Sequence, residues 1–177
     1  GVEAALQRMK GLQAISERLS VAPDVEAIWR AALEEAAGRL NADDGAWMWD
    51  LPVSQVASLA VDSIMSQNAW RELVESAGHP SEPRILFDTE RDPSPLGMMI
   101  IPVNGISFAG WLGLIKKGAA FAQVELDFAV SIVEMARLTV LGWTRYQQVD
   151  KARVRQVQEL ETLQQMGRLI GESLDLE

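Results

Sequence analysis

Cysteine is absent from this chain, and histidine occurs once, at His79. Without cysteine there can be no disulfide, no thiolate metal site and no cysteine nucleophile, and one imidazole cannot build a multi-histidine metal centre. Basic residues are outnumbered, 16 Lys and Arg against 25 Asp and Glu, for a formal charge of −9. That balance argues against a nucleic-acid surface, which needs a basic patch. The apolar runs are interrupted well short of the ~20 residues of a membrane span, so no membrane contact is expected of this segment. No secretory signal is visible, and the lack of cysteine fits a cytoplasmic location. The chain starts at Gly1 rather than Met, and the expectation is an excised piece of a longer polypeptide.

What is present suits one domain with a sizeable core and appendages: 177 residues, 48% hydrophobic and 23% charged. The stretch Gly97 to Lys117 organises the rest. It reads as two apolar strands joined at Asn104-Gly105, a pair suited to the φ > 0 positions of a tight hairpin. Met99, Ile101 and Val103 lie on one side of the first strand, Met98 and Ile100 on the other. A hairpin apolar on both faces needs cover on both, which places it in the middle of a sheet.

Around this hairpin the chain reads in order. Val2, Ala5, Met9, Leu12, Ser16 and Leu19 make one stripe of a first helix over residues 2–20. Such a seam suits pairing with another helix; the alternative is a helix lying on its own domain. Pro23 opens a second helix with Asp24 and Glu26 in its first turn, and Val25, Ile28, Trp29, Ala32, Ala36 and Leu40 form its apolar face. A turn over residues 41–45 ends it, with Asp43 and Asp44 read as turn chemistry rather than a carboxylate cluster. Strands over 46–51 and 55–61 flank Pro52 to Ser54 as an antiparallel pair. Ser63 caps a third helix over 64–77, which Gly78 terminates. The segment 79–96 is irregular apart from a short strand at Arg84–Phe87. A final helix runs from near Ala122 to about Gly171. Its first part is apolar on two sides, with Phe128, Ile132 and Met135 on one and Leu126, Val130, Val133 and Val140 on the other. From Tyr146 it becomes polar with a single stripe, Val149, Val157, Leu160, Leu163, Met166 and Ile170, although Gln156 and Gln164 break a strict heptad.

The order of the last elements, with Ile100–Val103 (IIPV), Gly110–Leu114 (GWLGL), Phe121 and a helix start near Glu125, resembles the end of a GAF domain. The resemblance spans roughly residues 12–145, and most of the matching positions are core. It implies an α+β fold, a central antiparallel sheet with flanking helices and a long C-terminal signalling helix; the related PAS fold is the alternative. The organisation expected is an N-terminal helix at 1–20, a GAF-like domain at 21–145, and a linker or coiled-coil helix at 146–177. A weak internal similarity supports a following repeat: LQAISERLSVAPDVE (12–26) against LQQMGRLIGESLDLE (163–177), with Leu12/Leu163, Gln13/Gln164, Asp24/Asp175 and Glu26/Glu177 identical.

For function, the resemblance implies a non-enzymatic sensory domain of a signal-transduction protein such as a histidine kinase. It would bind a small molecule under the 78–96 segment and relay the signal to an effector domain of the same parent chain. The alternative is a ligand-free dimerisation and relay module. A homodimer is expected through the Val2–Leu19 and Leu126–Ile170 helices. Covalent bilin attachment and methionine sulfoxide reduction are excluded, since both use cysteine in this family. The cyclic-nucleotide signature Asn-Lys…Phe-x-x-x-Asp-Glu is matched only in part: Glu125 follows Phe121, but Leu126 takes the next acid's place and Gly105 follows Asn104.

The chain holds six tryptophans and one tyrosine. Trp47 and Trp49, two apart on a strand, share a face, and with Trp70 and Trp111 they could line an aromatic pocket. The competing reading has them filling the core between sheet and helices. His79 could be an axial haem ligand, though Gly78-His79-Pro80 at a helix end more often means an exposed loop histidine. Arg84 and Arg91 could meet an anionic ligand or be solvated. Arg145, Lys151, Arg153 and Arg155 balance acidic charge or pair across a helical interface.

Overall fold

The computed structural model describes residues 1–49, 58–60, 65–105 and 108–175. Its elements in chain order are α1 (Val2–Ser20), α2 (Val25–Arg39), β1 (Asp44–Trp49), β2 (Ser58–Ala60), α3 (Gln67–Ser76), β3 (Arg84–Asp88), β4 (Leu96–Asn104), β5 (Ala109–Lys117) and α4 (Gln123–Asp175). Two compact units result, Gly1–Val140 and Leu141–Glu177. The expected strand at 55–61 is described at Ser58–Ala60; the Pro52–Ser54 link and Ser63 lie outside the described residues.

The sheet has the order β2-β1-β5-β4-β3, and every neighbouring pair is antiparallel. The β4–β5 hairpin therefore fills the middle, as its two apolar faces require. On one face Ala46, Met48, Met98, Ile100 and Ile115 meet Trp70, Leu73 and Val74 of α3. The alternate residues Trp47, Met99, Ile101, Leu112 and Leu114 are buried on the opposite face. There Trp47 Nε1 donates to the Trp29 carbonyl of α2 at 2.6 Å.

Several local expectations are corrected. Asn104-Gly105 is not a two-residue turn: Asn104 is still in β4, paired with Ala109, and Gly105 N donates to Phe108 O at 2.8 Å. Neither residue takes positive φ. Gly105 is instead small because the Phe108 ring lies on it, 2.2 Å from where a Cβ would stand. Helix α2 begins after Pro23 rather than at it. Asp24 is the N-cap, its carboxylate accepting from Ala27 N at 2.7 Å. Ser66, not Ser63, caps α3 by accepting from Ala69 N at 3.2 Å. In α1 the buried residues are Ile15 and Leu19, whereas Ser16 is exposed. In the first part of α4 one stripe is buried (Leu126, Ala129, Ile132, Val133, Ala136 and Val140) rather than two, leaving Phe128, Val130 and Met135 half-buried.

The ends of the core hairpin are fastened by polar contacts. Asp43 N donates to Ile115 O at 2.8 Å, and its carboxylate accepts from Lys117 N at 2.6 Å. Buried Asp44 accepts from Gly45 N at 2.8 Å and from Met65 N at 2.9 Å. Gly118, at φ +72°, donates to Pro95 O at 2.7 Å and seats the β5–α4 connection against the start of β4. Arg18 of α1 forms ion pairs with Glu34 and, at 3.0 Å, with Glu35 of α2. Partial burial works against the Glu35 charge, but Arg39 and Arg18 outweigh it and hold that carboxyl below its ordinary range.

Candidate functional site

The tryptophans expected to form one pocket are divided by the sheet. Met48 pairs with Trp111, and Trp47 with Leu112, so Trp111 points to the α3 face and Trp47 and Trp49 to the other. Trp47 and Trp49 stack at 5.4 Å with 11° between planes. The Trp29 ring meets both edge-on, at 4.8 and 5.1 Å, and Phe108 closes the group at 5.4 Å from Trp29. This is core: Trp47 and Trp29 are buried, and Trp47 has its acceptor.

The α3 face is where the remaining candidates gather. Trp70 is fully buried, its ring on Gly113, and its Nε1–H has no hydrogen-bond acceptor. On the same face a space of about 120 Å³, which Trp70 does not line, is bounded by Met48, Trp49, Arg71, Val74, Glu75, His79 and Trp111. Typical small-molecule sites are about 300–1,000 Å³. This space alone therefore falls short of the void of several hundred Å³ that a pocket under the 78–96 segment calls for.

His79 is exposed, at φ +50°, with its ring edge-on to Trp111 at 5.6 Å. Trp111 Nε1 donates to Pro80 O at 3.0 Å, so the turn after α3 is pinned to β5. Arg84 lies exposed on edge strand β3, and Arg91 is exposed in the following loop. Neither lines the space beside Trp111. Among the described residues no cluster of His, Asp or Glu could hold a metal ion. No helix among them is long and apolar enough to cross a membrane.

A second candidate surface lies on the helices of the first unit. A groove of about 560 Å³ runs between α1 and the start of α4, lined by Gln7, Arg8, Gly11, Val124 and Phe128, with Arg39 and Leu40 at its end. A neighbouring hollow of about 280 Å³ adds Met9, Leu12 and Asp127. Met9 is exposed along the hollow and Val124 along both; Val2 and Leu6 are exposed on α1 but line neither. At the head of α4, Glu125 accepts from Ala122 N at 2.8 Å and pairs with Lys116 at 3.0 Å. Burial opposes its charge, yet these two donors keep the carboxyl below the ordinary glutamate value. Lys116 also sits 4.8 Å over the Phe121 ring.

The second unit is a helix with an uncovered stripe. Val149, Val157, Leu160, Leu163, Met166 and Ile170 are each more than half exposed. Val154, Leu169 and Leu174 are exposed as well, outside the stripe read from the sequence. Trp29 was read only as one residue of an apolar helix face; its place at the centre of the aromatic group carries no short-range signal.

No protein-family model matches the chain, and no curated protein matches it. Solved structures do. The GAF domain of a phosphoenolpyruvate-protein phosphotransferase from Coxiella burnetii is 18% identical, with a TM-score of 0.57, covering 82% of this chain and 98% of that one. The corresponding domain from Acinetobacter is 10% identical, with a TM-score of 0.56, covering 77% and 93%. The GAF domain of a putative sensor histidine kinase from Pseudomonas syringae pv. tomato is 17% identical, with a TM-score of 0.52, covering 86% and 96%. The fold of this chain is that of a GAF domain.

Proposed function

We propose that the chain is a non-enzymatic relay domain of a larger signal-transduction protein, acting through helices paired between two copies. The observation that carries this reading is the uncovered apolar stripe of α4, from Val149 to Ile170. Burying a large apolar side chain completely is worth about 1.5–3 kcal/mol, so several such residues left in water represent a strong drive to pair. The groove between α1 and α4 and the hollow next to it, with Met9 and Val124 exposed there, extend the apolar surface available to a second copy within the first unit. A parallel arrangement suits a relay, because it delivers both helices to an effector domain on the same side. A small shift or rotation between two packed states would carry the signal. The likeness to GAF domains of a putative sensor histidine kinase and of phosphotransferases supports a regulatory setting of this kind. Sedimentation equilibrium tests it: the wild type should be a dimer at tens of micromolar, and the Leu160→Asp/Leu163→Asp variant a monomer. A monomeric wild type would sink the reading.

A second reading, small-molecule sensing on the α3 face, is favoured by one specific observation. Trp70 Nε1–H is buried without an acceptor, which costs about 1–3 kcal/mol. A ligand presenting a carbonyl or ring-nitrogen acceptor would relieve that cost. Native mass spectrometry of protein from its own host should then show a bound small molecule that is lost in Trp70→Phe.

A further inference from the structure

The distal part of α4 sets its stripe in one register. Val149, Leu160, Leu163, Ile170 and Leu174 fall on a single alternation of spacings of three and four, and all are more than half exposed. The same alternation passes through Arg153, Gln156 and Gly167. A heptad seam of this form flanks each layer with two further positions. In a parallel pair, the residue just before the first seam position of a heptad faces the partner residue five further along. Here that rule sets Arg145 against position 150, an aspartate, and Glu159 against position 164, a glutamine. The remaining flanking pairs join Ala152 with Val157 and Met166 with Gly171, so no like charges meet at the flanking positions. An antiparallel pair centred on Leu160 and Leu163 would set Asp150 against Gly171 instead and forfeit the ion pair.

We propose that two copies of the 145–174 segment pair parallel and in register, with Arg145 on the partner subunit's Asp150 and a deliberately weak Arg153–Gln156 layer between apolar ends. This rests on the parallel dimeric reading above and adds to it the register, the charge contact and the soft point. Arg153 would face its own copy across the seam. Such a layer fixes register at a cost in affinity, as a single polar seam residue does in parallel coils. It also divides the seam into Val149 on the domain side and Leu160 to Leu174 beyond, two apolar segments able to repack separately.

The absence of native cysteine makes the register directly readable. Leu163→Cys should oxidise to a disulfide-linked dimer, while Gln165→Cys, on the far side of the helix, should not. Arg145→Asp and Asp150→Arg should each weaken dimerisation about tenfold, and the double reversal should restore it, since both residues are exposed and neither supports the fold. Arg153→Leu should tighten the dimer by tenfold or more. A dimer that links through Gln165→Cys, or only through mixed Leu160→Cys and Leu163→Cys chains, would overturn the register while leaving dimeric relay intact. So would a double reversal that fails to restore affinity. A wild-type monomer would overturn both.

Discussion

Trp70 packs its indole directly on the backbone of Gly113, so closely that a Cβ there would stand 2.5 Å from the ring. The contact joins α3 to the central strand β5 and fills the middle of the α3 face with a side chain. Gly113→Ala should therefore destabilise the domain by about 1–3 kcal/mol, the usual cost of overpacking a filled core. In Trp70→Leu the added methyl meets less bulk, so the two substitutions should be far from additive in a urea double-mutant cycle. Additive losses would show that the ring moves aside freely.

Glu125 gives the domain a defined acid dependence. Its carboxyl is held below the ordinary glutamate value of 4.5: burial opposes the charge, but the Ala122 N–H and Lys116 outweigh it. The folded pKa is the lower one, so the stabilisation is complete above the unfolded value and fades as pH falls through the folded value. Glu125→Gln should lose about 1 kcal/mol at neutral pH, and the gap from wild type should shrink on acidification below about 4.5. Urea midpoints that differ equally at pH 7 and pH 3 would exclude this role.

How much of this was legible in the sequence follows from the range of the forces involved. The hairpin's place in the sheet was readable because apolar residues at both odd and even positions demand cover on both faces. The helix of α3 was readable from local signals, but its cap was not, since Ser63 and Ser66 offer the same chemistry. Asp44 read as turn chemistry because nothing nearby shows that its carboxylate reaches the Met65 amide 2.9 Å away. The four-tryptophan pocket did not assemble whole, on a register question, although Trp49, Trp111 and His79 line one space. Trp47 and Trp111 lie on paired strands, and only the pairing Met48↔Trp111 decides which face each shares. The exposed stripe of α4 was legible because helical periodicity alone defines it.

Two glycines of different setting should respond in opposite directions. A Cβ on Gly97 would stand 2.0 Å from Ala119 O, backbone against backbone, with no flexible atom to yield. Gly97→Ala should lose at least about 3 kcal/mol or fail to fold. Gly142 lies within α4 with nothing within 4 Å of an added Cβ. Gly142→Ala should raise stability by up to about 1 kcal/mol through helix propensity. Thermal melts of the two variants beside wild type would decide both, and a neutral Gly97→Ala would contradict the close approach.

Trp111 holds the turn after α3 against the sheet, and with His79 it lines the small space on the α3 face. Its Nε1–H donates to Pro80 O at 3.0 Å, and its ring meets the His79 edge at 5.6 Å. Trp111→Phe keeps an aromatic ring on the strand but removes the donor and enlarges the space. The lost hydrogen bond should cost about 1 kcal/mol, with up to a similar amount from the weakened aromatic contact. The loss should be local, because His79 N and Gly78 N bond back to Val74 and Glu75 in α3 rather than to the sheet. Hydrogen exchange at those two amides should accelerate several-fold more than at Leu112 in the centre of β5. Equal acceleration at all three would mean that Trp111 supports the whole sheet and does not tether this turn.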